Sequence, residues 1–383
     1  MRILHTSDWH VGKVLKGQSR MEDQLAALAA LVDVAKAERP DLVIVAGDLY
    51  DSSSPTPEST KIVTRALSAL RATGADVIAI AGNHDNGPAL DALRPWADAA
   101  GITLRGSLRS ADDLMLAGRT ADGEEWRVAA LPFVSQRYAV RASELFDLSA
   151  AEAAQTYADH VGRLLFRLAE GFGTDTVNLV TAHLTVIGGK TGGGERDAHT
   201  IMGYNVPAAV FPPGAHYVAL GHLHRAQAVP APCPTRYSGS PLAVDFGEEE
   251  NAASVSIVDV TADSSAKARE VPLSAGTPLR TVRGTLAELS TLDPGDAWLR
   301  VYVNEAPRAG LREEVQAMLP RTLEVRIDAR MLPDARAGEP SAAGRVGRSP
   351  TVLFADYLAQ RGHADEATTN LFNRLHDEVI TAS

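Results

Sequence analysis

Histidine, aspartate and asparagine side chains follow directly on five short apolar stretches of this chain. They occur as Asp-x-His, Gly-Asp-x-x-Asp, Gly-Asn-His-Asp, a single His, and Gly-His-x-His. Divalent metals at sites of phosphate chemistry take carboxylate, imidazole and oxygen ligands. Two ions about 3.5–4 Å apart can generate a hydroxide, orient a phosphate and stabilise in-line attack. We therefore predict a two-metal hydrolytic centre with seven ligands: Asp8, His10, Asp48, Asn83, His183, His222 and His224.

Four residues within or beside these motifs suggest distinct roles. Asp48 follows a glycine and carries two carboxylate oxygens, so it is the natural bridge between two ions. His84 is adjacent to Asn83 and should point elsewhere, which makes it a candidate for protonating the leaving oxygen or holding the phosphate. Asp51 could orient His84, as a carboxylate orients a catalytic imidazole. Asp85 is expected to fix the turn.

Each motif has a plain structural alternative. A single histidine is usually structural, and Asp-x-His or Gly-Asp-x-x-Asp occurs by chance. Gly-Asn-His-Asp and Gly-His-x-His after a strand are more specific, and all five motifs in this order are hard to explain as coincidence. The remaining histidines are expected to be structural or surface residues, with the first of them as the foremost exception: His5, His160, His199, His216, His363 and His376.

The five apolar stretches read as buried strands, because they are short and rich in β-branched residues. A ligand just past each strand end places all five clusters on one rim of a sheet, where sites form in α/β folds. Two helices, over 21–39 and 57–74, are predicted between the first three strands, and a third over 88–100 follows them, with a kink or break at Pro95. This alternation implies right-handed crossovers and helices on both sheet faces.

After residue 100 the pattern of predicted secondary structure changes. Residues 103–135 read as short strands and turns, a capping box at 149–152 begins a helix, and a glycine-rich loop covers 186–205. Strand patterns resume at Val244 and at 254–260. After about residue 275 the pattern predicts a small α+β unit, with strands at 280–282, 298–303 and 323–327 and helices at 286–289 and 311–319. The predicted division is 1–274 for a catalytic domain, 275–336 for the α+β unit, 337–350 for a linker and 351–383 for a helical tail.

Composition sets broad limits. The chain has 383 residues, comfortable for two domains, and its 45% apolar content supports a large core. It has no run of eighteen apolar residues, no secretory signal pattern and a single cysteine, Cys233, so a cytoplasmic protein is expected.

The formal charge of −11 argues mildly against a nucleic-acid substrate, because such binders usually carry a basic patch. Two bound divalent ions would offset several of the counted carboxylates. A local basic patch near the site is also compatible with an acidic chain. Its candidate residues, each of which could instead be an ordinary surface charge, are Arg137, Arg141, Lys190 and Arg196.

Through these motifs, the chain resembles the calcineurin-type metallophosphoesterase superfamily over roughly residues 1 to 250. More narrowly, it resembles the SbcD family of nucleases, relatives of the Mre-type nucleases. Four further features carry this resemblance: the opening Met-Arg-Ile-Leu-His-Thr-Ser-Asp-Trp-His-Val-Gly, the Gly-Asp-Leu-Tyr-Asp before a Ser- and Pro-containing loop, the stretch Gly194-Glu195-Arg196 after His183, and the run from Tyr237 to Leu242 after Gly-His-Leu-His.

The resemblance implies an α/β fold: a calcineurin-like β-sandwich flanked by helices, with a small α+β capping domain that positions DNA and a C-terminal helical tail. It implies that one ion is held by Asp8, His10, Asp48 and His224, and the other by Asp48, Asn83, His183 and His222. His84 would be catalytic without binding metal, with Asp51 supporting it. Manganese is the family's preferred ion; iron, zinc and magnesium stay open.

The resemblance also implies partners and an activity. The family joins two nuclease subunits to two SbcC-type ATPases, degrades double-stranded ends with ATP and cuts single strands and hairpins, in DNA repair, recombination and replication. The tail would bind SbcC, unless it folds back on its own domain. A dimer contact, unless these residues merely cover the sheet, would come from Ile62, Val63, Leu67, Leu70, Leu90, Leu93 and Trp96.

Two rival functions remain. The first is a small-molecule or cyclic-nucleotide metallophosphodiesterase, which would not need the additional C-terminal segments. The second is a scaffold that has lost catalysis, although all the expected ligands and His84 are present.

Overall fold

The computed structural model describes residues 1–135, 150–195, 204–328, 350–360 and 368–372. The strands in these ranges are β1 (Arg2–Thr6), β2 (Val14–Leu15), β3 (Gln18–Ser19), β4 (Leu42–Val45), β5 (Asp76–Ile80), β6 (Ile102–Arg105), β7 (Met115–Arg119), β8 (Glu125–Leu131), β9 (Val177–His183), β10 (Thr185–Val186), β11 (Asn205–Val206), β12 (Tyr217–Gly221), β13 (Gln227–Val229), β14 (Thr235–Tyr237), β15 (Ser254–Thr261), β16 (Ser264–Pro272), β17 (Leu279–Gly284), β18 (Trp298–Val303) and β19 (Thr322–Ile327).

The helices in the same ranges are α1 (Met21–Glu38), α2 (Pro57–Arg71), α3 (Gly87–Ala92), α4 (Arg94–Ala99), α5 (Ala111–Leu114), α6 (Ala150–Ala169), α7 (Leu286–Leu289), α8 (Leu311–Met318) and α9 (Pro350–Gln360). Two short 3₁₀ turns occur at Ala208–Val210 and Phe246–Glu248.

Two six-stranded sheets form the main body. The first has the order β16-β15-β1-β4-β5-β6, in which β1, β4, β5 and β6 are parallel. The second has the order β13-β14-β12-β9-β8-β7, in which β14, β12, β9 and β8 are parallel. Parallel neighbours end at the same edge of a sheet. The carboxyl ends of β1, β4 and β5 therefore share one edge, and those of β9 and β12 share another.

The two sheets pack face to face. Successive strand residues point to opposite sides of a sheet, so each strand contributes to one cluster between the sheets and to another under the helices. In β4, Ile44 lies in a cluster between the sheets, whereas Val43 and Val45 lie in a cluster under α1 to α4. In β9, Leu179 joins the cluster between the sheets and Val180 packs against α6. The result is a four-layered sandwich, helix–sheet–sheet–helix, which confirms the sandwich implied by the resemblance.

The prediction that helices cover both faces of the first sheet is wrong. Helices α1, α2, α3 and α4 all contribute to the cluster on one face of the first sheet, and the second sheet covers the opposite face. The inward strand residues are apolar in either arrangement. Periodicity therefore could not distinguish a covering helix from a covering sheet.

Helix boundaries follow local signals. Helix α1 ends at Glu38, where Arg39 adopts a left-handed conformation before Pro40. Helix α2 begins after Thr56, whose side chain accepts a hydrogen bond from the Ser59 backbone. The helix predicted at 88–100 is broken into α3 and α4 at Leu93, close to the proline expected to interrupt it.

The C-terminal elements agree with the sequence pattern. Strands β17 and β18 are parallel, β19 pairs with β18, and α7 and α8 accompany them. The chain divides into two compact units, 1–304 with 308–326 and 305–307 with 327–383, so most of this sheet belongs to the larger unit. The four-part domain division stays a prediction.

One predicted strand is absent from its position, and two further predictions fall outside the described residues. Val244 is not in a strand; a 3₁₀ turn at Phe246–Glu248 follows it. The Ser149 capping position and the linker up to residue 349 lie outside the described residues. Among the helices that the structure describes, none is long and apolar enough to cross a membrane.

Candidate metal centre

The loops after β1, β4 and β5, together with the ends of β9 and β12, bring all seven predicted ligands to one edge of the sandwich. The backbone N–H of His222 donates to Asp8 Oδ1 at 3.0 Å, which joins residues 214 positions apart. The predicted ligand side chains are buried or partly buried. His and Asp residues form three overlapping groups, and within each group the potential ligand atoms lie within 4.8 Å of one another. These groups are Asp8–His10–His224, His10–Asp48–His84 and Asp8–Asp48–His183.

Four of the ligands have a left-handed backbone. The φ angles are 55° at Asp8, 47° at His10, 52° at Asp48 and 100° at His222. Such values are uncommon outside glycine and persist only where surrounding structure enforces them. Here the backbone N–H of Asp8 donates to Gly47 O at 3.0 Å, and that of His10 donates to Asp48 O at 3.0 Å. The two loops therefore hold each other in the conformation that points the ligands inward.

Glycines before the ligands permit a close approach. A Cβ atom on Gly82 would lie 2.1 Å from Asp48 Oδ1, and one on Gly47 would lie 2.3 Å from His183 Nδ1. A Cβ on Gly221 would meet the carbonyl oxygen of the residue before Gly47 at 2.0 Å. Each of these glycines immediately precedes a predicted ligand. The Gly-Asp, Gly-Asn and Gly-His pairs thus encode both the ligand and the space around it.

The first half of the centre contains two imidazoles that face each other. His10 Nε2 and His224 Nε2 are 3.0 Å apart. The other nitrogen of His224 lies 2.5 Å from Glu248 Oε1, and that of His10 lies 3.5 Å from Asp51 Oδ1. When both imidazoles are neutral and each carries its proton on Nδ1, the nitrogen nearer a carboxylate, the two Nε2 lone pairs point at each other. A cation between or beside them resolves this repulsion, so the donor set fits a divalent metal.

The second half is arranged around an amide oxygen. Asn83 Oδ1 lies 2.9 Å from His183 Nε2 and 2.8 Å from His222 Nδ1. His183 Nδ1 is 2.8 Å from the Ala46 carbonyl oxygen, which can only accept, so Nδ1 carries the proton and Nε2 faces the site. Asp48 Oδ2 is 3.4 Å from His183 Nε2 and 3.6 Å from His10 Nε2, so this carboxylate lies between the two halves.

The buried charges shift the pKa values of these groups strongly. Burial raises the pKa of Asp8 to about 6 and lowers the pKa of His10 to about 4. Burial disfavours charge on His183 as well, but Asp48 outweighs it and raises the pKa of His183 to about 9. Burial likewise opposes charge on His224, yet Glu248 raises its pKa to about 10. Without metal, imidazole protons neutralise the carboxylates; divalent ions would take their place.

His84 lies at the edge of the centre. Its backbone N–H donates to Asp48 Oδ1 at 2.8 Å, and its ring stands edge-on to His10 with centroids 4.6 Å apart. Its Nδ1 is 2.8 Å from the carbonyl oxygen of Asp51. The group that orients His84 is therefore a backbone carbonyl, whereas we predicted a carboxylate. The Asp51 carboxylate instead approaches His10 Nδ1 and lies 3.3 Å from Lys13 Nζ.

Asp85 fixes the turn, as predicted. Its Oδ2 accepts from the backbone N–H of Gly82 at 2.8 Å and of Leu49 at 3.2 Å, and its Oδ1 accepts from Tyr50 at 2.9 Å. Asp85 thereby ties the loop after β5 to the loop after β4. Its contribution is to hold two ligand-bearing loops together.

Sequence reasoning missed several side chains that support the ligands. Ser7 Oγ donates to Asp8 Oδ2 at 2.5 Å, and Ser240 Oγ donates to the Asp8 carbonyl at 2.6 Å. Glu248 contacts His224, and Gln24 donates to the His10 carbonyl. Serine, glutamine and glutamate are common residue types. Their distances from the ligands along the chain provide no spacing signal.

Other sequence candidates lie elsewhere. Both ring nitrogens of His5 have partners, Tyr217 Oη at 3.0 Å and Leu220 O at 3.1 Å, so it is structural and no exception. His216 contacts the Asn178 backbone and the Ala262 carbonyl. Lys190 is exposed, and His160 is partly exposed on α6. The other candidates are outside the described residues: Arg137, Arg141, Arg196, His199, His363 and His376.

The apolar residues expected at a dimer contact cover the sheet instead. Ile62, Val63, Leu67, Leu70 and Leu90 are buried in the cluster between α1–α4 and the first sheet. Leu93 and Trp96 are partly buried against the same cluster. At the five buried positions the structure supports the alternative that these residues cover the sheet, and a dimer of this chain stays a prediction.

Known protein families match both parts of the chain. The family model for calcineurin-like phosphoesterases matches residues 1–226, and a model described as a type 5 capsule protein repressor C-terminal domain matches residues 276–362. A solved structure of a dimetal phosphatase from Danio rerio is similar at 12% identity, with a TM-score of 0.41, over 72% of this chain and 99% of that chain.

Two curated relatives are similar over most of their length. The D subunit of nuclease SbcCD from Bacillus subtilis is 36% identical over 322 residues, 82% of this chain and 81% of the relative. The D subunit of nuclease SbcCD from Staphylococcus epidermidis is 28% identical over 76% of this chain and 74% of the relative. The chain therefore belongs to the calcineurin-like phosphoesterases and, among them, to the family of the SbcCD nuclease D subunits.

Proposed function

We propose that this chain is a two-metal DNA nuclease subunit that works with an SbcC-type ATPase. The observation that supports the proposal is the convergence of the seven predicted ligand residues, from five separate loops and strand ends, at one edge of the sandwich. Membership in the family of the SbcCD nuclease D subunits supports the phosphodiesterase reaction. The substrate and the partner are carried over from the relatives' names.

The residues that would hold the ions fall into two sets that share Asp48. One set is Asp8, His10, Asp48 and His224; the other is Asp48, Asn83, His183 and His222. Manganese is the ion we propose, since carboxylate, imidazole and amide oxygen together suit it. Bound there, the ions would supply a Lewis acid for the phosphate and for the attacking water.

The protein's own side chains would then control protons and position. Nδ1 of His84 is directed at the Asp51 carbonyl, so this nitrogen carries a proton in either charge state. When His84 is protonated, its other nitrogen can donate to the leaving oxygen. Because His84 also binds Asp48 through its backbone, the proposed acid and the proposed bridging ligand are held in one rigid unit.

The proposed partner contact is the C-terminal segment. In the smaller compact unit, Phe354 and Phe372 stack with centroids 4.0 Å apart, while Tyr357 is 51% exposed and Leu371 is 46% exposed. Large exposed apolar residues beside a packed aromatic pair suit a docking surface. We propose that this segment binds the ATPase, that the complex contains two copies of each subunit, and that it acts in the cytoplasm.

The experiment is cleavage of a labelled hairpin duplex by the full chain in manganese, with and without an SbcC-type ATPase and ATP. His84→Ala is the control for adventitious nuclease. We expect cleavage that requires manganese, rises with ATPase and ATP and disappears in the variant. Hydrolysis of a small phosphodiester without any DNA cleavage would refute the DNA assignment and favour the small-molecule phosphodiesterase.

A further inference from the structure

We propose that Glu248 is a positioning residue for one of the two ions: its carboxylate fixes the tautomer and the ring orientation of His224, and Arg300 of the three-stranded sheet clamps the turn that carries it. The inference rests on the proposed two-ion centre and adds to it a residue outside the seven ligands. Glu248 does not touch the reacting atoms in this scheme; it acts through His224.

The contact between Glu248 and His224 is direct and buried. Glu248 is 1% exposed, and its Oε1 lies 2.5 Å from His224 Nδ1. The second oxygen, Oε2, accepts from the Val244 backbone N–H at 2.7 Å. With both oxygens engaged, the carboxylate cannot rotate freely. It holds the proton of His224 on Nδ1 and directs Nε2 toward His10.

A carboxylate behind a ligating imidazole has a known physical effect. It fixes the ring and makes the imidazole a stronger ligand, and its removal typically weakens metal binding about 10- to 100-fold. The carboxylate also adds negative charge beside a site that must bind a divalent cation. A buried glutamate bonded to the nitrogen that faces away from the centre meets this description.

The surrounding loop leaves space for this carboxylate. A Cβ atom on Gly194 would lie 1.8 Å from Glu248 Oε1, and one on Gly193 would lie 2.7 Å from the Gly247 carbonyl oxygen. Glu195 in the same loop accepts the His224 backbone N–H at 2.9 Å. The glycine-rich loop after β10 therefore encloses the Glu248–His224 pair, which gives these glycines a structural reason.

Arg300 connects the turn to the three-stranded sheet. Its Nη2 donates to the Phe246 carbonyl at 3.3 Å, its guanidinium lies 5.1 Å from the centre of the Phe246 ring, and its Nε donates to Thr281 Oγ1 at 3.1 Å. Phe246 is buried with Leu15 and with apolar residues of that sheet. A displacement of the three-stranded sheet would therefore shift Phe246 and, two residues further along the same turn, the position of Glu248.

The test is manganese binding by the full-length chain after removal of metal with a chelator, measured by calorimetric titration and by the electron paramagnetic resonance signal of free Mn²⁺. For Glu248→Gln we expect two ions to bind, one of them about 10- to 100-fold more weakly and the other unchanged. Glu249→Gln, at the exposed neighbouring position, is the matched control and should bind as the unaltered chain does.

Arg300→Met tests the clamp, with Arg280→Met as its control, because Arg280 is exposed in the same three-stranded sheet and donates to the Asp293 carbonyl. Arg300→Met should weaken the same ion about 2- to 5-fold. Unchanged affinity in Glu248→Gln, or equal weakening of both ions with a lower melting temperature, overturns the positioning role. Failure of the unaltered chain to bind two ions would instead overturn the proposed function.

Discussion

His10 and His224 direct their Nε2 atoms at each other across 3.0 Å, although 214 residues separate them in the chain. The strand order makes this possible, because β1 and β12 lie in different sheets whose ligand-bearing ends meet at one edge of the sandwich. The hydrogen bonds from His222 N–H to Asp8 hold those ends together. If these residues bind metal as we propose, the binding of the ions does not have to bring these two strand ends together.

Replacing Asp48 should abolish catalysis. Its carboxylate lies between His10 and His183 and accepts the His84 N–H, so Asp48→Ala removes the bridge and a loop contact together. We expect turnover of a small phosphodiester in manganese to fall by about 10³-fold or more. Asp48→Asn keeps the shape of the side chain and removes only its charge, so it separates the effect of charge from that of packing. Near-normal turnover in either variant would refute the ligand scheme.

Replacing His84 should separate metal binding from turnover. One ring nitrogen of His84 lies within 4.8 Å of ligand atoms of His10 and Asp48, so geometry by itself allows it to bind metal. If it acts as the acid, His84→Ala should bind two manganese ions normally and lose about 10²- to 10⁴-fold in turnover. Calorimetric titration of the variant decides this: loss of one ion would make His84 a ligand.

Adding one methyl group beside the bridge should disrupt the centre. In Gly82→Ala the new Cβ would meet Asp48 Oδ1 and the Asp48 backbone, which cannot move without displacing the loop after β4. We expect weakened manganese binding and a lower melting temperature. Gly162→Ala, in α6 with its nearest contact at 3.6 Å, is the control and should be stabilised by about 0.5–1 kcal/mol. Normal metal affinity in Gly82→Ala would contradict the tight approach.

His5 should make the fold sensitive to acid. Burial lowers the pKa of His5 to about 3, against an ordinary value of 6.5 in the unfolded chain. The unfolded state therefore takes up a proton first as pH falls. Stability present above pH 6.5 is lost progressively toward pH 3, by at most about 1.4 kcal/mol per pH unit.

The measurement for His5 is urea unfolding of the metal-free chain at pH 7.5, 6.5, 5.5 and 5.0. His5→Gln keeps a donor and an acceptor for Leu220 O and Tyr217 but does not titrate, so its free energy of unfolding should fall less steeply than that of the unaltered chain. All other titrating groups are common to both proteins and cancel in the difference. Parallel curves would show that the burial of His5 does not affect stability.

The C-terminal segment should determine partner binding. Deleting 351–383 is expected to abolish association with the SbcC-type ATPase while leaving hydrolysis of a small phosphodiester intact. Tyr357→Glu should weaken association at a single exposed position, whereas Phe166→Glu, at a position 72% exposed on α6, should not. Size-exclusion chromatography of the mixed subunits gives the readout. Association that survives the deletion would place the interface elsewhere.

Local patterns determined much of this protein. The five apolar runs and the glycine before Asp48, Asn83 and His222 are properties of a few neighbouring residues, so strands and candidate ligands could be predicted together. The same holds for the break at Leu93, where a proline in the first turn of α4 interrupts the helix. The continuous apolar runs also predicted strands that are buried on both faces, although they could not say what would cover each face.

Only the tertiary structure decided the rest. That a second sheet covers the inward face of the first, that Asp51 presents a carbonyl to His84 and a carboxylate to His10, and that Glu248 lies behind His224 all depend on how distant segments pack. Residue type and spacing carry no record of such contacts, because a buried polar group is satisfied by whichever partner the folded chain brings within about 3 Å. The sequence by itself therefore determined which residues could bind metal. The fold decided how each of them is oriented, because orientation comes from hydrogen bonds between residues far apart in the chain.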